Sequence, residues 1–96
     1  MDKQIEIINV QWSLWFGKRL RKALKRTDQY RFWFREKEYE ELVGRCGAFL
    51  VNGLKDYVKN FDGNFNYKEF EQKFEESFVH CEEEIQKFIS LVKKRQ

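Results

Sequence analysis

The chain has no proline, a single histidine and two cysteines among its 96 residues. Without proline, nothing in the sequence forces a helix to break. Two cysteines are too few for the disulfide framework of a small secreted scaffold and fit a reducing compartment. One histidine, no glycine-rich phosphate loop and no nucleophile–base spacing leave no local signature of catalysis, so the expectation is a protein that is not an enzyme. The longest uncharged run, Ile7 to Gly17, falls short of the ~20 apolar residues needed to cross a bilayer. The start, MDKQIEIINV, carries acidic residues where a signal peptide needs a basic start and an apolar run, so a cytoplasmic protein is expected.

Aromatic residues are plentiful, at 18% with ten phenylalanines, and supply enough apolar area for one globular domain spanning residues 1–96. Charge is unevenly spread. Residues 1–35 hold nine Lys/Arg against three Asp/Glu, a balance of +6, and residues 36–96 hold ten against thirteen, a balance of −3. Such polarity suits an anionic or acidic partner for the first part of the chain.

Periodicity predicts an all-α fold: a three-helix bundle built on a long antiparallel hairpin, with an aromatic extended segment between helices 1 and 2. In the first helix Ile8, Trp12, Phe16, Leu20 and Leu24 recur every fourth position, with Ala23 on the same side. Residues 4–10 alternate Ile5 and Ile7 as a strand would, but Ile8 in register with Trp12 favours helix. Over 29–35 the pattern has period two, setting Tyr30, Phe32 and Phe34 against Arg31, Trp33 and Arg35. A second helix is expected from the glutamate cluster at 36–41 to about Asn60. A third carries Phe70, Phe74, Phe78, Cys81, Ile85, Phe88, Ile89 and Val92. If the chain reverses at Asp62-Gly63, residues whose numbers sum to 127 should meet, among them Tyr57 with Phe70, Gly53 with Phe74, Phe49 with Phe78 and Cys46 with Cys81.

The connecting letters Asn60, Asp62, Gly63, Phe65, Asn66, Glu69 and Phe70 resemble a degenerate EF-hand calcium loop over residues 58–70, with Val58 where the first carboxylate ligand would stand. A helix cap, a turn and an N-cap at Asn66 account for the same letters without metal. Cys46, His80 and Cys81 are one ligand short of a structural zinc site, and adjacent helical residues diverge by about 100°. No metal and no cofactor are therefore expected.

The candidate functional residues are Trp15, Lys18, Arg19, Lys22, Arg26, Arg31, Trp33 and Arg35. Two tryptophans stand among cations instead of on an apolar stripe, and Trp and Arg are the side chains most enriched at binding hot spots. The expected activity is occlusion of an acidic protein surface or of nucleic-acid-binding machinery. Direct nucleic-acid binding, an EF-hand-like module and an amphipathic helix on anionic membrane are the alternatives. Trp15 and Trp33 could equally seal a homodimer. In size and composition the chain is similar to small phage-encoded inhibitors of host defence or transcription, anti-CRISPR proteins among them, a likeness that leaves the partner an acidic protein surface or a nucleoprotein.

Overall fold

Apolar residues at helical spacing must find one another, and in a computed structural model, which describes residues 3–96, they do so across three α-helices: α1 (Lys3–Leu24), α2 (Glu36–Lys59) and α3 (Tyr67–Lys93). Asp2, counted above in the charge of the first part of the chain, lies outside the described residues. The ambiguous residues 4–10 are helical. Among the described residues there is no strand, and no helix is long and apolar enough to cross a membrane.

Side-chain contacts give the helix directions. Tyr57 and Phe70 are in ring contact at 5.5 Å, the Ser77 hydroxyl donates to the Phe49 carbonyl at 3.1 Å, and the Cys81 thiol donates to the Cys46 carbonyl at 3.4 Å. Arg45 pairs with Glu84 at 3.1 Å. Residue numbers therefore fall along α2 as they rise along α3. Gly53 lies against Ser77 and Trp12, and Phe49 stacks on His80 at 5.2 Å. Along α1, by contrast, numbers rise together with α3: Trp12 meets Phe70 and Phe74, Phe16 meets Phe78, and just beyond the helix Arg26 reaches Glu82.

Trp12 is the point where all three helices meet. Fully buried, it places its ring 6.0 Å from Tyr57, 5.7 Å from Phe70 and 5.2 Å from Phe74. Each such fully buried side chain contributes about 1.5–3 kcal/mol. Cys46 and Cys81 are buried and reduced, and hydrogen bonding to Cys46 together with burial pushes the Cys81 thiol up, away from the reactive thiolate.

Local chemistry sets the ends of the second and third helices. The Asn60 backbone N–H returns to the Asp56 carbonyl at 3.2 Å, and Gly63 supplies the one positive φ among the described residues, 93°. Asp62 accepts from the Asn64 N–H at 2.9 Å, and Asn66 caps α3 by accepting from the Glu69 N–H at 3.1 Å. The EF-hand-like letters are thus occupied with turn and cap bonds. Among the described residues no group of three His, Cys, Asp or Glu side chains is placed to hold a metal ion.

The segment between α1 and α2 corrects the period-two expectation. Residues Lys25–Trp33 form a 3-10 helix, and only Phe34 (φ −143°, ψ 156°) and Arg35 (φ −87°, ψ 152°) are extended. No strand stands beside this stretch to take its backbone hydrogen bonds, so the chain satisfies them internally at i to i+3. Every third residue then faces the same way. Thr27 and Tyr30 are buried, the Thr27 hydroxyl donating to the Leu24 carbonyl at 2.7 Å, whereas Phe32 points fully into solvent.

Candidate functional site

The 3-10 segment and the start of α2 form one pole of the molecule, and its backbone is held from two sides. Phe34 packs its ring 5.1 Å from Phe88 and 5.9 Å from Tyr39. Arg95, just past α3, donates to the Trp33 carbonyl at 2.9 Å and to both carboxylate oxygens of Glu38 at 3.0 and 2.7 Å. Glu38 in turn accepts from the Arg35 backbone N–H at 2.9 Å, closing the first turn of α2. The Arg95 guanidinium and the Arg35 N–H hold the Glu38 carboxyl down, to about 2.

A carboxyl with a depressed pKa stabilises the fold above its unfolded value, and that contribution is lost as pH falls through the folded one. Between about pH 4.5 and pH 2, the melting temperature should therefore drop more steeply in the wild-type protein than in Arg95→Gln. Equal slopes would show that the clamp is not felt by the fold.

Upon this frame stand two large apolar side chains that the fold leaves in water. Phe32 is 98% exposed and Trp33 41% exposed. Arg31, Arg35 and Lys37 are also exposed there, none of them in an ion pair among the described residues. An open depression of about 690 Å³ runs between Trp33, Lys37, Glu41 and Arg95. Exposed aromatic surface beside unpaired cations is suited to contact and charge recognition.

The eight residues expected to form one basic face divide into three groups. Trp15 is half-buried, with its ring 5.0–5.8 Å from those of Tyr67, Phe70 and Phe74. Arg19 and Arg26 are taken up by α3: Arg19 binds Glu75 with two hydrogen bonds and lies over the Phe78 ring at 4.7 Å, while Arg26 binds Glu82 at 2.6 Å and the Ala23 carbonyl at 3.1 Å. Lys18, Lys22, Arg31, Trp33 and Arg35 stand exposed. Trp15 and Trp33 do not share a patch. Trp15 lies level with residues 67–74 of α3 and Trp33 with residue 95, which separates them by about 35 Å along the helix axis.

Phe32, Glu38 and Arg95 were not among the candidates. The period-two pattern hid Phe32 by giving it the same side as buried Tyr30. The seven-residue step from Arg19 to Arg26, repeated from Glu75 to Glu82, is the signal that could have revealed the ion pairs of these two arginines with α3. Compared with protein-family models, with curated proteins and with solved structures, the chain matches none of them.

Proposed function

We propose that this is a non-catalytic interaction protein that occludes an acidic protein surface, with the pole around Phe32 and Trp33 as its contact. The observation that carries this reading is the 98% exposure of Phe32 next to Trp33 on a segment clamped by Arg95. Large apolar side chains held out of the core at fixed positions lose little conformational entropy on binding, and aromatic anchors dominate interface energetics. Arg31, Arg35 and Lys37 supply the charge that orients an acidic partner. In this reading α2 and α3 form a long antiparallel hairpin, α1 completes a three-helix bundle, and the bundle is the rigid support of the pole. Lys18 and Lys22, further along α1, extend the cationic surface. A host nucleoprotein of the kind targeted by phage inhibitors would present such an acidic site.

Pulldown from a bacterial lysate, with and without nuclease, tests the reading. Capture of a protein should persist after nuclease and at raised salt, and should be lost in the variant combining Phe32→Ala with Trp33→Ala, because aromatic anchors of this kind are worth about 2 kcal/mol or more each. Capture that disappears with nuclease or falls steeply with salt would instead indicate direct nucleic-acid binding through counterion release.

A further inference from the structure

Helix α1 carries two apolar stripes, of which its own fold uses one. Opposite Trp12, the residues Ile7, Val10 and Leu14 are spaced by three and four and are 65%, 59% and 55% exposed. Because Trp12 meets Gly53 and Tyr57 and α1 runs opposite to α2, this stripe lies level with the second half of α2. There Val51 is 46% exposed, and Leu54 and Val58 are half-buried. Helical phase places both sets on the side of the α1–α2 pair that faces away from α3. At Gly17, Gly44 and Gly47, on or beside the same face, an added Cβ would meet, among the described residues, no heavy atom within 4 Å beyond the adjoining backbone of its own helix and its two chain neighbours.

The other end of this face is charged, with opposite signs on its two helices. Residues 7–27 contain no Asp or Glu, and beyond Leu14 the outer stripe of α1 continues into Arg21 and then into Lys25, the first residue of the 3-10 segment. Arg21 uses its Nε to reach the Gly17 carbonyl at 3.2 Å, and Lys25 forms no ion pair among the described residues. Beside them, Glu36 and Glu40 on the first half of α2 are exposed and form none either.

We propose that this face is the interface of a two-fold dimer, its occupant a second copy of the chain. The pattern is self-complementary for one symmetry axis. A two-fold parallel to the helices lays α1 of one copy antiparallel over α2 of its partner, so the apolar ends cover each other and Arg21 and Lys25 meet carboxylates of the first half of α2. A two-fold perpendicular to the helices would instead lay Val10 and Leu14 over Arg21 and Lys25. Two helices about 33 Å long and about 10 Å apart offer roughly 600 Å² per copy, or about 1,200 Å² in total, which reaches the range of stable interfaces. An anionic membrane fits less well, because Glu36 and Glu40 lie in the same plane and would be repelled. The inference goes beyond the proposed partner binding. Phe32 and Trp33 stay outside this contact, Lys18 and Lys22 turn toward the Trp15 side of α1, and the dimer displays two poles.

The test is the mass of the full chain by light scattering, loaded at about 100 µM, where a dimer of micromolar Kd is mostly formed. A dimer is expected. Leu14→Glu and Val51→Glu should each give monomers with unchanged helical circular dichroism, since both side chains are already about half exposed. Lys25→Glu and Glu40→Lys should each weaken association by about tenfold or more through like-charge contacts, and an equimolar mixture of the two should restore it. In the mixed dimer both contacts pair opposite charges. A monomeric wild-type chain, including one that stays monomeric yet sediments with anionic vesicles, overturns the proposal. So does a dimer that survives both Leu14→Glu and Val51→Glu.

Discussion

Replacing Trp12 by alanine should cost about 3–5 kcal/mol and lower the melting temperature by tens of degrees, because large-to-small changes in a core lose transfer energy and leave a cavity that closes only in part. Trp12 ties α1 to both other helices through its ring, which contacts Tyr57 on α2 and both Phe70 and Phe74 on α3. Against a total of about 5–15 kcal/mol for a domain of this size, the loss is a large share of all stability. Trp12→Phe should cost less than Trp12→Ala. It keeps a ring at the junction, and it removes an indole N–H that is buried without a hydrogen-bond acceptor among the described residues, a group that costs about 1–3 kcal/mol to leave unsatisfied. Urea unfolding of the two variants checks the order. A wild-type midpoint in Trp12→Ala would mean that α1 is not held by this ring.

The second large effect is expected from the smallest change. At Gly53 an added Cβ would sit 2.2 Å from the Ser77 Oγ, 2.8 Å from its Cβ and 3.1 Å from the Trp12 ring. Gly53→Ala must therefore push α2 away from α3 or displace Ser77 and break its hydrogen bond to the Phe49 carbonyl. Overpacking of this kind costs about 1–3 kcal/mol, which exceeds the gain of up to ~1 kcal/mol that alanine brings to a helix interior. Gly44→Ala is the matched control, because among the described residues no other helix and no side chain beyond its two chain neighbours comes within 4 Å of its added Cβ. It should raise the stability of the folded chain by up to ~1 kcal/mol, again read by urea unfolding. Destabilisation of the same size at both positions would show that backbone strain, and not helix approach, sets the role of Gly53.

Ion pairs that α3 makes with α1 and with the 3-10 segment change the meaning of the basic stretch more than they change stability. Arg19–Glu75 and Arg26–Glu82 join side chains that are each 40–48% exposed, and pairs this open to solvent contribute about 1 kcal/mol or less. Their consequence is for recognition. A partner that needed these two arginines would first have to break bonds to α3, whereas Lys18, Lys22, Arg31 and Arg35 form no ion pair among the described residues.

What the sequence determined by itself is what depends on neighbours within one or two turns. Helix spans follow from the spacing of Ile8, Trp12, Phe16 and Leu20 and of Phe70, Phe74 and Phe78, because a 3.6-residue period is a property of the backbone alone. The cap at Asn66 and the turn at Gly63 are equally local. Tertiary structure decided what depends on partners far along the chain. Residues 29–33 alternate as a strand does, but a strand needs another beside it, and without one the segment closes into a 3-10 helix that buries Tyr30 and exposes Phe32. Arg19 and Lys18 look alike in sequence. One is paired and the other has no ion pair among the described residues, because Glu75, 56 residues away, is brought against only one side of α1. The distance between Trp15 and Trp33 was decided in the same way, since the packing of α1 along α3 sends the two rings to opposite ends of that helix.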